Sequence, residues 1–210
     1  MSKKIKVWGR LSSSNVKKVM WLAEELKVDV EQVNAGLSFG VVNTPAYKAL
    51  NPNSRIPTLE DGDYVLWESN SIMRYLCMKY GGEAFYPAEP AVRADVDRWL
   101  DWSLSTLVPI DSPLFIATVR TPTEQQDKNK IAANEKMVVE LYGILDRKLE
   151  GRDYLTRDFS IADLALSIFY DRWVRNPFLI VKPEFENLSK WLKRMQHRHG
   201  FQKFVSVPLE

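Results

Sequence analysis

The stretch NPNSRIPTLEDGDYVLWESNSIMRYL, residues 51–76, predicts two strands joined by a tight turn and followed at once by a helix. Pro57 stands where the first strand begins, a position that tolerates the missing amide donor of proline. Asp61 and Gly62 form the turn signal between the strands. Glu68 and Ser69 open the helix, where their side chains meet unpaired backbone amides that can also hold a ligand carboxylate. The stretch is therefore either a plain supersecondary element or a shelf for an anionic ligand.

The segments before this stretch predict the rest of an α/β domain. Residues 4–8 read as a strand, and a cap-forming cluster at residues 12–15 precedes an amphipathic helix that runs to Leu26. Residues 28–33 read as the second strand. A strand–helix–strand unit predicts two parallel strands joined by a right-handed crossover, whereas the later hairpin predicts antiparallel strands beside them. The sequence therefore predicts a mixed four-stranded sheet with helices on its faces.

Beyond about residue 85 the chain predicts only helices. Two closely spaced breaks, Gly81-Gly82 and the segment 87–90, read as a linker. Apolar residues at three- and four-residue steps then predict helices over about 91–107, 124–149 and 184–199, and another that begins at Ser160. Ser160 and Asp163 have the spacing of a capping box, which explains Asp163 better than a catalytic role does. We therefore expect two domains, an α/β domain over residues 1–83 and an all-helical domain over 89–210.

Composition narrows the class of protein and its partners. With 45% hydrophobic residues, 27% charged residues and a net charge of +2, the chain is typical of soluble globular proteins. This small net charge produces no strong electrostatic attraction to nucleic acid or to a membrane surface, and we expect neither as a partner. The single cysteine, Cys77, excludes an internal disulfide framework and reads as a buried, inert thiol. The sequence shows no signal-peptide start, no apolar run of membrane length and no metal-ligand cluster, so we expect a cytoplasmic protein without a metal.

Four segments together resemble the glutathione transferase family, and their spacing makes the match more specific than any single motif. They are GRLSSSNVKKVMWLAEEL, NPNSRIPTLEDG, WESNSIMRYL and FSIADLALS. The resemblance implies a thioredoxin-like N-terminal domain with an all-helical C-terminal domain, a cis peptide bond before Pro57, and a homodimer. It also implies glutathione as co-substrate.

The resemblance also implies roles for individual residues. Glu68 and Ser69 match the pair that holds the γ-glutamyl end of glutathione, and the backbone of Ile56 would pair with its cysteinyl residue as an added strand. Arg55 is placed to meet the glycyl carboxylate. In the serine type of the family, a hydroxyl at the start of the first helix stabilises the glutathione thiolate. Ser13 matches this position, and Ser12 is the second choice. The acceptor would lie between the domains, against aromatic residues such as Trp102 and Phe115, for which core packing is the alternative reading.

The leading hypothesis is a glutathione transferase that conjugates the glutathione thiolate to small, electrophilic, apolar compounds, as in detoxification. A glutathione-dependent isomerase or dehalogenase of the same serine-type branch is an alternative, although the SSC run of such isomerases is SSS here. A non-catalytic relative that acts through binding is a further alternative, but such proteins often lose the residues at 68–69 that this chain keeps.

Overall fold

The computed structural model describes residues 4–209, which divide into two compact units. The first unit contains residues 4–87 together with Arg198–Val207, and the second contains Ala88–His197 with the residues that follow Val207. The sequence predicted residues 89–210 as one domain. The segment Arg198–Val207 instead belongs to the α/β unit, because its side chains pack there.

The first unit is built on the mixed four-stranded sheet that the sequence predicted. Strands β1 and β2 are parallel, β3 is antiparallel to β1, and β4 is antiparallel to β3, so that the order is β2-β1-β3-β4. Val7 lies opposite Leu59 in the centre of the sheet, and both side chains are fully buried. The bounds are β1 Ile5–Trp8, β2 Val30–Val33, β3 Thr58–Asp61 and β4 Tyr64–Trp67.

Besides a short 3-10 helix at Leu37–Phe39, four α-helices complete the first unit: α1 Ser14–Glu25, α2 Pro45–Leu50, α3 Ser69–Lys79 and α9 His199–Phe204. Helix α1 packs against both α3 and α9. Helices α1 and α9 are in contact through two aromatic rings: the Trp21 and Phe201 rings pack edge-to-face, with 5.3 Å between their centroids. Arg198 adds a two-pronged ion pair with Glu25, at 2.9 Å for both bonds. These contacts explain why the end of the chain belongs to the first unit.

The second unit is helical in all its regular elements within the described residues. Helices α4 and α5 are joined by the π-helical segment Ser103–Leu107, and a further π-helical segment, Ile116–Arg120, follows α5. The resulting run, Pro90–Arg120, is long and apolar enough to cross a membrane by length and composition alone, which is weak evidence because core helices share these properties. It is longer than the helix predicted over 91–107. The helices are α4 Pro90–Trp102, α5 Val108–Phe115, α6 Lys128–Lys148, α7 Ile161–Arg175 and α8 Glu186–Gln196.

Helix α7 is the centre of the second unit and begins with the capping box that the sequence predicted. Ser160 occupies the cap position, and the Asp163 carboxylate accepts a hydrogen bond from the Ser160 amide at 3.0 Å. Asp163 is fully buried and also accepts from the Leu155 amide and the Trp191 indole. The carboxylate therefore joins the start of α7 to the preceding loop and to α8, which is a structural role.

Candidate functional site

The loop before β3 has an open peptide edge, and hydrogen bonds from buried side chains fix the position of the loop. The peptide bond between Ile56 and Pro57 is cis, as the resemblance implied. The carbonyl of Arg55 accepts hydrogen bonds from the Tyr47 hydroxyl at 2.7 Å and from the Asn51 amide at 2.9 Å. Both supporting side chains are buried. Among the residues that the structure describes, Ile56 forms no main-chain hydrogen bond, so its peptide groups can pair with an extended ligand.

The start of α3 leaves its first amides open to a ligand. Glu68 precedes the helix with φ 72°, a left-handed conformation that costs a residue other than glycine roughly 1–3 kcal/mol. The sequence suggested end-cap chemistry here, but the exposed Glu68 side chain forms no capping hydrogen bond. The first main-chain bond of the helix is donated by Ile72 to the Glu68 carbonyl. The amides of the first turn, which lack intrahelical acceptors, can therefore bind a carboxylate.

Ser69 connects the start of α3 to the start of α1. Its side chain is buried, and its hydroxyl donates to the Asn15 side-chain oxygen at 3.3 Å. Asn15 lies in the first turn of α1, two residues beyond Ser13. Both helix starts therefore belong to one site, although the two segments are far apart in the sequence.

Ser13 is the cap residue of α1, yet its hydroxyl is not used to cap the helix. Its backbone is extended, with φ −76° and ψ 123°, and no side-chain cap hydrogen bond is formed. The Ser13 amide donates to the Arg10 carbonyl at 3.1 Å, which holds the turn between β1 and α1. Ser13 and Ser12 are both half-buried. Either hydroxyl can therefore donate to a ligand atom at the positive end of α1.

Gly9 allows this turn to lie against the ligand loop. A methyl group at Gly9 would come within 2.4 Å of a Val16 methyl carbon and 3.2 Å of the Ile56 Cβ atom. Its φ of 150° is also a conformation that favours glycine. The absence of a side chain therefore brings the first turn of α1 next to the Ile56 peptide. The open peptide edge, the start of α3 and the serine turn form one cluster within the first unit.

The remaining residues predicted for the site have different surroundings. The Arg55 side chain is exposed, consistent with a role in meeting a ligand carboxylate from solvent. In the second unit Trp102 is half-buried against Trp99, at 5.5 Å between ring centroids. Phe115 is only 5% exposed, and the Arg172 guanidinium lies 4.4 Å from its ring centroid. Phe115 therefore has the environment of a core residue of its unit.

Cys77 does not supply a nucleophile. It is 1% exposed, and burial raises the pKa of its thiol to about 12. A thiol with that pKa is almost entirely protonated at neutral pH and reacts slowly, because the thiolate is the reactive form. A reactive sulfur at the site must therefore come from the ligand.

Several residues that build the site were not identified from the sequence, and they share an indirect role. They shape or support the ligand-facing groups through tertiary contacts: Gly9, Asn15, Tyr47 and Asn51. A local signal existed only for Gly9, which follows a predicted strand. The partners of the other three are distant or depend on loop geometry, so pattern analysis could not find them.

Comparison with known proteins places the whole chain in one family. The family model for the glutathione S-transferase N-terminal domain matches residues 3–77, and that for the C-terminal domain matches residues 101–199. Glutathione S-transferase GstB of Escherichia coli K12 is 36% identical over 209 residues, which cover 98% of this chain and 99% of the relative.

Solved structures agree with this assignment. A theta class glutathione S-transferase from Xanthomonas axonopodis pv. citri, crystallised with glutathione bound, aligns over all of both chains with a TM-score of 0.94 and 42% identity. Glutathione transferase BmGSTD1 of Bombyx mori aligns with a TM-score of 0.85 and 27% identity, covering 96% of this chain and 93% of that one. The resemblance drawn from the sequence is confirmed, and the chain belongs to the glutathione S-transferase family.

Proposed function

We propose that this glutathione transferase binds glutathione on the first unit and transfers its thiolate to a small electrophile. The observation that carries the proposal is the convergence of the open Ile56 peptide edge, the uncapped start of α3 at Ser69 and the unused Ser13 hydroxyl. The relative from Xanthomonas that has glutathione bound supports the choice of ligand. Ser69 and the first amides of α3 would hold the γ-glutamyl carboxylate, with Glu68 beside them.

The other groups of the tripeptide have matching partners. The Ile56 peptide would pair with the cysteinyl backbone, which fixes the direction of the ligand. Arg55 would meet the glycyl carboxylate with a charge-assisted hydrogen bond. This arrangement would direct the cysteinyl sulfur towards the serine turn at residues 12–13.

Ser13 would act as a hydrogen-bond donor to sulfur and not as a nucleophile. A free thiol with pKa about 8.5 is only a few per cent ionised at neutral pH, and lowering that pKa by about two units requires roughly 2.7 kcal/mol. A hydrogen bond to a charged group contributes about 1.5–3 kcal/mol, and a helix N-terminus adds about 0.3–1 kcal/mol. The two effects together suffice. Ser12 is the alternative donor.

In the proposed reaction the glutathione thiol first loses its proton to solvent. The thiolate sulfur then forms a bond to the electrophilic carbon of the acceptor, and a leaving group departs with its bonding electron pair, or an addition product takes up a proton. We expect apolar acceptors, with Trp102 as a lining residue and Phe115 as a weaker candidate because of its burial. A cytoplasmic homodimer with a role in detoxification is the setting that the family suggests.

The experiment combines a titration with steady-state kinetics. Calorimetry should show saturable glutathione binding to the wild type, weakened about tenfold or more by Ser69→Ala through loss of a hydrogen bond to a charged group. The exposed Ser105→Ala serves as the matched control and should bind normally. Absence of binding to folded wild-type protein would overturn the proposal.

The two serines are separated by activity towards an aryl halide. Ser13→Ala should lower kcat by about 10²-fold, because it removes a donor that stabilises the reacting anion, and it should raise the pH at which activity is half-maximal. Ser12→Ala should retain most of the activity. The reverse ranking would move the catalytic role to Ser12.

A further inference from the structure

Asn15 is the hydrogen-bond partner of the buried hydroxyl at the proposed carboxylate anchor. The Ser69 hydroxyl donates to the Asn15 side-chain oxygen at 3.3 Å. Ser69 is 3% exposed, whereas Asn15 is half-buried in the first turn of α1. Within residues 4–209 the NH₂ group of Asn15 forms no hydrogen bond, so this side chain keeps two donors available.

This hydrogen bond competes with the proposed binding of the γ-glutamyl carboxylate. A serine hydroxyl has one proton, and a carboxylate is only an acceptor. While the Ser69 proton is donated to Asn15, the Ser69 oxygen offers a ligand carboxylate nothing but lone pairs, which repel it. The hydroxyl can therefore hold the carboxylate only after Asn15 has released that proton.

An asparagine can release the proton and still keep its contact with Ser69. Rotation of the terminal amide by 180° exchanges its oxygen and its NH₂ group at nearly the same positions. Asn15 then donates to the Ser69 oxygen, and the Ser69 hydroxyl donates to the ligand. Hydrogen bonds in such a chain strengthen one another by polarisation. An aspartate could not take this part, because both oxygens of an ionised carboxylate only accept.

We propose that Asn15 is a positioning residue of the glutathione site: its side-chain amide turns when the γ-glutamyl carboxylate binds, and this directs the Ser69 proton to that carboxylate. The inference rests on the proposed placement of glutathione and adds the partner that sets the direction of the Ser69 hydroxyl. Asn15 acts through Ser69, without contact with the reacting sulfur. It therefore affects the affinity for glutathione and leaves the reactivity of the bound thiolate to the serine turn.

Calorimetric titration of paired variants tests the direction of the Ser69 proton. The quantity measured is the factor by which Ser69→Ala raises the Kd of glutathione, in the wild type, in Asn15→Ala and in Asn15→Asp. We expect about 10-fold in the wild type and about threefold in Asn15→Ala, where the hydroxyl loses its supporting donor. In Asn15→Asp we expect less than about twofold, because the introduced carboxylate keeps the Ser69 proton. Repulsion between that carboxylate and the ligand is the same with and without the Ser69 hydroxyl, so it cancels in this factor.

A ligand variant and a matched protein variant complete the experiment. γ-Aminobutyryl-cysteinylglycine is glutathione without its γ-glutamyl α-carboxylate, and Ser69→Ala should change its Kd by less than about twofold in all three backgrounds. Asn129 is the second residue of α6, as Asn15 is of α1, and it is exposed, so Asn129→Ala should leave the effect of Ser69→Ala intact. Acidic side chains are favourable in the first turn of a helix, so we expect Asn15→Asp to fold. Circular dichroism establishes the fold of each variant.

The outcomes distinguish this inference from the proposed function. If the wild type does not bind glutathione, or if Ser69→Ala leaves its Kd unchanged, the placement of the ligand fails and the inference fails with it. If the wild type shows the expected effect but Asn15→Ala and Asn15→Asp show the same factor, only the role of Asn15 is overturned. An equal effect of Ser69→Ala on the ligand without the carboxylate also overturns that role, because the hydroxyl then binds another group. In steady-state kinetics Asn15→Ala should raise the KM for glutathione, and a loss confined to kcat would contradict the inference.

Discussion

Replacing Asp163 by asparagine tests how much the second unit depends on one buried carboxylate. Its Oδ1 atom accepts from the Leu155 amide at 2.8 Å and the Trp191 indole at 2.9 Å. Its Oδ2 atom accepts from the Ser160 amide at 3.0 Å and the Ser160 hydroxyl at 3.1 Å. All four partners are donors, and asparagine offers only one acceptor atom.

The expected cost follows from this geometry. The better orientation of the asparagine keeps its oxygen towards Leu155 and Trp191 and turns its NH₂ group towards Ser160. The Ser160 amide can only donate, and the Ser160 hydroxyl oxygen already accepts from the Thr156 hydroxyl and the Ala162 amide. One buried donor left unpaired costs about 1–3 kcal/mol, and the two remaining bonds lose their charge assistance. Removal of a buried charge offsets part of this, so we expect Asp163→Asn to lower the free energy of unfolding by about 2–4 kcal/mol at pH 8.

The pH dependence provides a second measurement with a definite sign. Burial raises the pKa of Asp163 to about 6 from the ordinary value of 3.8, although its four donors favour the ionised form. Between these pH values the folded protein holds a proton that the unfolded chain has released, so this group stabilises the fold at low pH, and the contribution is lost as pH rises through about 6. Lowering the pH from 8 to 5 should widen the gap between wild type and variant by about 1 kcal/mol.

Urea unfolding followed by tryptophan fluorescence at pH 5, 6, 7 and 8 measures both effects. Asp158→Asn, in the same loop region but with a side chain 72% exposed, is the matched control and should change the free energy of unfolding by less than about 0.5 kcal/mol. The reasoning is refuted if Asp163→Asn is as stable as the wild type at pH 8. A gap that stays constant from pH 8 to pH 5 refutes the titration argument alone.

Three further predictions concern the first unit. Burial raises the pKa of Asp61, but Lys79 and two tyrosine hydroxyls lower it more, so Asp61→Asn should destabilise by about 2 kcal/mol at pH 7. In acid unfolding curves this difference should shrink only as the pH falls below the ordinary Asp value of 3.8 and through the lowered pKa of the folded state. Gly200→Ala should cost about 1–3 kcal/mol in urea unfolding, because the new methyl would lie 2.1 Å from a Trp21 ring carbon; an unchanged midpoint would contradict this packing. Cys77 should resist a disulfide thiol reagent in native protein and react rapidly in guanidinium chloride, and fast native labelling would argue against its burial.

The local elements of this fold were predictable because their signals are local. The hairpin turn lies at Gly62 and Asp63, one residue beyond the predicted Asp61-Gly62, because Asp61 is the last residue of β3 and pairs with Tyr64. This turn, its two strands and the capping box at Ser160 and Asp163 all depend on residues a few positions apart. The role of Glu68 was only partly predictable. Its position at the start of α3 follows from the sequence, but its positive φ and its lack of a capping hydrogen bond depend on how β4 meets the helix.

By itself the sequence determined the order of the four strands along the chain, the change to an all-helical half near residue 85, and the family to which the chain belongs; it did not predict helices α5 and α9. These depend on periodicity, turn chemistry and the spacing of motifs, which are properties of neighbouring residues. Only the tertiary structure decided that Arg198–Val207 joins the α/β unit, that Gly9 admits the serine turn next to Ile56, and that Asn15 contacts Ser69. Such contacts join segments that are far apart in the chain and depend on side-chain shape at close packing, which no local pattern encodes.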